Sequence, residues 1–369
     1  MAVHFALATP TDEPALRQLL RDNPMPGAIS LALTREPNFL LGATIEGETH
    51  TTGVAKEPQS GRVVAMASRS VRRAYLDGRV ARVGYFCQLR IAREARGGSV
   101  LARGLQTMGA MHVDDPAEAY VTTIVADNLF ARRILERERP SKPSYRPFGE
   151  LHTLALVPRR APRRRPPVGV TLRRGSRELL PDIAACLQRN YARLQFAPLW
   201  TADDLGDAER CRGLVASDFF VAERQGRIVG CVALWDQQAF KQSVVASYSR
   251  PLRLLRPLLN AAGTLWRLPV LPAVGAALPH AYLSHVAVDD DEAAVLLALA
   301  DQALAASQER RLAYVTLGLA TGHPLLAPVR RAYRHIDYRS IIYRMVWPGG
   351  PGDGPAPGPL VPHLEVATL

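Results

Sequence analysis

Lysine is nearly missing from this 369-residue chain: of its 46 basic residues only Lys56, Lys142 and Lys241 are lysines, and the rest are arginines. A bias of that size reflects genome composition rather than a designed basic face. Cysteine is scarce too, with Cys87, Cys186, Cys211 and Cys231 far apart along the chain. Their spacing fits neither a disulfide scaffold nor a zinc site, and no metal is expected. The first residues carry no basic stretch followed by an apolar core and a small-residue cleavage site. No secretory signal is visible, and the cytoplasm is the expected address.

What is present is an ordinary globular composition, 47% hydrophobic and 22% charged, at a length that suits two cores rather than one. The formal charge of +12 is spread over both halves with no recognition motif beside it, so no nucleic-acid partner is expected. Residues 157–169, VPRRAPRRRPPVG, have little to bury and read as a stiff connector. They divide the chain into residues 1–156 and 170–347, followed by a Pro/Gly-rich tail at 348–369, of which 348–362 is expected to be disordered.

Alternation and three-four spacing give the same run of elements in each half. The first half reads as a strand at 4–8, a helix carrying Leu16, Leu19 and Leu20, and strands at 38–45, 51–56 and 63–71. A strand and helix at 84–112, a strand at 119–125, a helix from Asn128 and a strand at 151–157 follow. The second half gives a strand at 170–173, a helix at 176–194, strands at 219–223 and 227–235, an insertion, then β-α-β-α-β from 282 to 347. The order predicts an α/β (α+β) protein of two tandem units, each a mostly antiparallel sheet flanked by helices.

The stretch with most chemical content is 91–105, IAREARGGSVLARGL, where an apolar strand turns through Arg96, Gly97, Gly98 and Ser99 into a helix. Unpaired N–H groups and the positive dipole end of a helix start suit a phosphate ester. A second motif opens the next helix: Asn128-Leu129-Phe130-Ala131.

The element order with these two motifs resembles the GNAT superfamily of N-acetyltransferases, in tandem, over most of residues 1–347. The resemblance implies that the fourth core strand splays from the fifth and that acetyl-CoA lies in the gap. Its pantetheine would pair with the backbone of Leu89, Arg90 and Ile91, and its pyrophosphate would sit on Arg96, Gly97, Gly98 and Ser99. Asn128 would contact the cofactor. Two departures stand out. With Arg96 in first place, Ser99 and Leu101 fall where the family prefers Gly and Gly or Ala, while the alternative frame with Gly97 fourth puts Glu94 first and Ser99 sixth. Leu135 stands where a proton-donating Tyr is common. Among the remaining candidates we take Glu57 as base and Tyr145 as acid, with Tyr120, Tyr85, His112, Asp114 and Asp115 as alternatives.

In the second half the equivalent turn is Asp289-Asp290-Asp291-Glu292, which would repel a pyrophosphate, so this half is expected not to bind acetyl-CoA. The resemblance therefore implies transfer of an acetyl group from acetyl-CoA to an amine of a small molecule or peptide. Two alternatives stay open: an acyl-CoA-binding or sensing module without turnover, and a tRNA-dependent aminoacyl or peptidyl transferase of the same fold. The insertion at 248–278 carries Arg250, Arg253 and Arg256 among leucines but is too broken by proline to span a bilayer. A domain or dimer contact, in keeping with a homodimer, is the favoured reading, ahead of a lid or a membrane-surface helix.

Overall fold

The computed structural model describes residues 3–96, 99–138, 142–158, 164–265, 270–354 and 356–369, with backbone alone at 264 and 265. The first half comprises β1 (His4–Leu7), α1 (Glu13–Asp22), β2 (Ile29–Thr34), α2 (Ala43–Glu46), β3 (Thr49–Lys56), β4 (Val63–Leu76) and β5 (Arg79–Ile91). It continues through α3 (Val100–Ala110), β6 (Ala119–Val125), α4 (Leu129–Glu136) and β7 (Ser144–Leu156). The second half runs β8 (Thr171–Arg174), α5 (Leu180–Tyr191), α6 (Ala202–Gly206), β9 (Phe219–Arg224), β10 (Arg227–Trp235), β11 (Gln242–Tyr248) and α7 (Arg250–Leu265). It closes with β12 (His280–Val288), α8 (Ala293–Glu309), β13 (Tyr314–Ala320), α9 (Leu326–Ala332) and β14 (His335–Val346).

Twelve strands form one sheet in the order β1-β3-β4-β5-β6-β14-β7-β13-β12-β10-β9-β8. The halves exchange their last strands. β14 lies between β6 and β7 and runs antiparallel to both, with Ile342 opposite Thr123 and Gly149. β7 in turn pairs with β13, placing Leu154 opposite Leu317. Separating the halves would therefore expose strand edges, and it would also break buried clusters that both halves share, such as Ile45 and Tyr75 with Ile183 and Trp200. A small second sheet, β11 with β2, links them again.

Helices cover the sheet where their apolar stripes dictate. α1 buries Leu16, Leu19 and Leu20 against Val54 and Met66, while α8 buries Val295, Leu296, Leu299, Ala303 and Leu304 against the second half. At 38–45 the expected strand is absent. Asn38 accepts a 2.8 Å hydrogen bond from the Leu40 amide and starts a helical turn that runs into α2, so Phe39 and Ile45 are buried from a helix instead. The sequence reading also missed β2 and β11, whose partners lie some 200 positions apart.

The tail corrects the disorder expected at 348–362: the Gly358 amide donates to Asp77 Oδ1 at 2.7 Å, and Arg344 donates to the Gly354 carbonyl at 2.8 Å. Residues His363 to Thr368 are buried between the halves, and the Gln195 amide bonds to the Val361 carbonyl at 2.9 Å. A Pro/Gly-rich composition marks the lead-in, 348–358, but the last residues carry Leu364, Val366 and Ala367, which have core to fill.

Candidate functional site: a splayed strand pair and a buried charge cluster

β5 and β6 run parallel and pair over three residues only, Val83–Ala119, Gly84–Tyr120 and Tyr85–Val121. Beyond Tyr85 they part, although β5 continues to Ile91 and β6 to Val125. The cause is a bulge: Gln88 and Leu89 face the single residue Ala67 of β4, and Gln88 takes φ 55°. A bulge of this kind bends its strand and swings the following residues out of the ladder. Residues 87–92 are half-buried at the resulting mouth. Thr122 donates a 2.7 Å hydrogen bond to the Phe86 carbonyl across the floor of the gap, and the Tyr85 and Thr123 hydroxyls meet there at 2.7 Å.

The second half repeats the same geometry and then fills it. β12 and β13 pair over His280–Tyr314, Ala281–Val315 and Tyr282–Thr316, and His285 bulges opposite Val232 with φ 52°. Here the tail enters the gap. The His285 amide donates to the Glu365 carboxylate at 2.8 Å, and a Cβ on Gly318 would lie 2.3 Å from Val366 Cγ1. Trp200, Phe219 and Trp235 ring the His285 imidazole, and residues 283–288 are all buried. Asp289 is bound by Arg189 and Asn190, Asp291 by Arg193 and Glu292 by Arg224.

On one face of the first splay lies a cluster the sequence reading missed. The Glu46 carboxylate is fully buried and meets Arg35 in an ion pair, His50 Nδ1 at 3.2 Å and Gln88 Nε2 at 3.1 Å. Cys87 Sγ lies 3.9 Å from the same carboxylate, and Arg72 donates to the Glu46 carbonyl and, at 2.7 Å, to Thr368 Oγ1. Burial alone would raise the Glu46 carboxyl, but Arg35, His50 and Lys241 hold it well below the usual carboxylate range. Burial, and then Glu46, push the Cys87 thiol up.

Lys241 completes the cluster from the second half. Its Nζ donates to the Leu369 carbonyl at 2.8 Å and to the Ala367 carbonyl at 3.2 Å, and sits 5.8 Å from the centre of the Tyr282 ring. Burial, reinforced by the Arg35 charge and opposed by Glu46, brings it down to about 7. An arginine there would stay charged at any accessible pH, so the lysine itself is the signal. In a chain with three lysines, this one stood out only by rarity.

Of the residues named from sequence, Leu89, Arg90 and Ile91 stand on β5 past the bulge. Arg96 donates to the Ile91 carbonyl at 3.1 Å and to Asn23 Oδ1 at 2.6 Å, and Ser99 immediately precedes α3. Gly97 and Gly98 lie outside the described residues. Asn128 caps α4, accepting from the Ala131 amide at 3.1 Å. The two residues taken for catalysis both sit away from the gap. Glu57 sits in the β3–β4 hairpin, with β4 and β5 between it and the gap. There the Arg62 hydrogen bond, and then Ser60, hold its carboxyl at about 2, too low for a base near neutrality. Tyr145 is buried beside Tyr343, in register with Met345 and so with Tyr120, at the closed end of the splay. Of the three tyrosines considered, Tyr85 is the one whose hydroxyl is bonded across the gap.

Comparison with solved structures decides the fold. A GCN5-related N-acetyltransferase from Sphaerobacter thermophilus superposes with a TM-score of 0.57 at 16% identity, covering 100% of this chain and 98% of that one. Saccharomyces cerevisiae N-myristoyltransferase with bound myristoyl-CoA and inhibitors gives 0.61 at 9% identity over 93% of this chain and 80% of that one. The GCN5-related glucosamine N-acetyltransferase region of a fungal multi-domain β-N-acetylglucosaminidase gives 0.61 at 13% identity, over 94% of this chain and 38% of that one. This chain has a tandem GNAT fold. No family model and no curated protein matches the sequence. The GNAT likeness of the sequence thus lives in the backbone path, which the bulge and splay make visible, more than in side-chain identity.

Proposed function

We propose that the protein is an acyl-CoA-dependent N-acyltransferase whose first half, residues 1–156, takes the acyl donor and whose second half, 170–347, is a degenerate partner. Acetyl-CoA is the donor we expect, and a primary amine the acceptor. The observation that carries this reading is the contrast between two equivalent gaps: the one at Gln88 is half-exposed, and the one at His285 is filled by the chain itself. The solved structures whose fold the chain shares include one with bound myristoyl-CoA, which supports an acyl-CoA ligand of this class.

The chemistry follows from the cluster. Backbone N–H groups released by the Gln88 bulge are the donors available to a thioester oxygen. The amine approaches from the face of Glu46 and Lys241. Lys241, brought down to about 7, has a substantial neutral fraction near neutrality; in that form it offers two N–H bonds to the Leu369 and Ala367 carbonyls and keeps its lone pair for the ammonium proton. The freed amine attacks the thioester carbon, the C–N bond forms, the C–S bond breaks, and the electron pair leaves on the CoA sulfur. The second proton of the attacking nitrogen goes to the CoA sulfur, so the products are an amide, CoA thiol and the Lys241 ammonium, which returns its proton to solvent before the next turnover. Glu46 stays ionised as the counter-charge to Arg35.

Calorimetric titration of acetyl-CoA and longer acyl-CoAs into the wild type, Gln88→Pro and His285→Pro tests the assignment. Tight binding lost in Gln88→Pro but kept in a folded His285→Pro supports it. Binding that survives Gln88→Pro places the ligand elsewhere and ends it, and binding without CoA release in the presence of amines favours the sensing module.

A further inference from the structure

α7 is mounted the wrong way round for a globular protein. Its inward side is polar: Arg256 Nε donates to the Leu271 carbonyl at 3.0 Å, and Asn260 exchanges hydrogen bonds with the Leu271 main chain at 2.8 and 3.1 Å. Its outward side is leucine. Leu254 is 76% exposed, Leu258 69%, Leu255 50% and Leu259 44%. At 100° per residue these four fall within one broad stripe, with exposed Arg250 and Arg253 along its border. The returning segment adds exposed Val270 and Val274. An apolar patch of this kind on an otherwise ordinary surface marks an interaction site.

Charge selects the partner. From Gln242 to Pro279 the sequence holds no aspartate or glutamate, while it holds Arg250, Arg253, Arg256 and Arg267. A symmetric contact between two copies through the leucines would bring like-charged arginines together with no carboxylate in the segment to pair them. An anionic bilayer surface meets both demands, taking the leucines into its headgroup boundary and the guanidiniums against its phosphates. No described helix is long and apolar enough to cross a membrane, and α7, at 16 residues with Pro257 inside it, fits lying in the surface.

We propose that α7 docks the protein on anionic lipid surfaces, with Leu254, Leu255, Leu258 and Leu259 as the inserted face and Arg250 and Arg253 as its electrostatic contacts. This inference is independent of the acyltransferase reading. It is tested by co-sedimentation of the full chain with phosphatidylcholine vesicles, with and without phosphatidylserine. The expected result is binding roughly 100-fold tighter to the serine-lipid vesicles, weakened by added salt. L254E/L258E abolishes it and R250E/R253E reduces it to the level seen on neutral lipid, both with unchanged thermal midpoint since all four side chains face solvent. Equal or absent binding to the two vesicle types overturns the proposal. So does a concentration-dependent dimer that L254E/L258E dissociates in the absence of vesicle binding, which would assign the face to a second copy.

Discussion

Gln88 and His285 hold the same bulge in the two halves, at φ 55° and 52°, each three residues past the last parallel pair of its strand. What differs is the occupant. The His285 amide is bonded to the chain's own Glu365, and the Gln88 side chain is bonded to Glu46 instead, leaving the gap beside it to open outward. One backbone device therefore serves as a candidate binding site in one half and as a tail socket in the other.

The tail socket predicts a stability effect. Gly318→Ala puts a Cβ against Val366, and overpacking of this sort costs about 1–3 kcal/mol. The expected result is a lower thermal midpoint together with faster amide hydrogen exchange at 283–288, while acyl-CoA binding in the first half is kept. An unchanged exchange pattern would show that the tail does not hold the second gap shut.

A direct transfer mechanism predicts that Cys87 is dispensable as a nucleophile. Its thiol is pushed up by burial and by Glu46, so little thiolate exists near neutrality. Cys87→Ala should keep turnover within about threefold, and no acyl adduct should appear on the intact protein by mass spectrometry after incubation with acyl-CoA. Detection of a thioester at this cysteine would replace the mechanism with a two-step one.

Much of the architecture was legible in the residues. The strands at 119–125 and 227–235 match the sequence reading to the residue, because each is an apolar run with clear polar flanks. The exchange of β7 and β14 was not legible. Alternation says that a strand pairs, and it carries no information about which half supplies the neighbour. The site shows the same division. Leu89 to Ile91 were placed on the splayed strand by element order, whereas Glu46 fell just past the strand expected at 38–45 and Arg35 and His50 carried no local motif. Their chemistry arises from long-range packing, with Lys241 arriving from 195 positions beyond Glu46 and visible in sequence only as a lysine among arginines.

The two catalytic assignments made from sequence lead to a sharp expectation of their own. Glu57→Gln breaks a surface pair with Arg62, of the kind worth little in stability, and leaves the splay untouched. Tyr145→Phe removes a hydroxyl from the closed end. Neither variant should change kcat by more than about threefold, and a large loss in either would mean that the acceptor binds on a different face from that of Glu46.

Lys241 supplies the prediction with a pH axis. As the proton acceptor, with its ammonium brought down to about 7, it should make kcat/KM rise with pH through that value and level off above it. Lys241→Met and Lys241→Arg should each lose about 100-fold or more, the first for want of a base and the second because a guanidinium keeps its proton. Stability separates this from a structural role. A lysine whose folded value lies below its unfolded value of about 10.4 carries no protonation penalty above the unfolded value, and the full penalty appears as pH falls through about 7. The difference in thermal midpoint between wild type and Lys241→Met should therefore shift in favour of wild type as pH is raised from 6 toward 10. A flat kcat/KM profile in wild type, alongside that same stability trend, would leave Lys241 as a buried packing cation and move the search for the base to His50, whose ring already touches the Glu46 carboxylate.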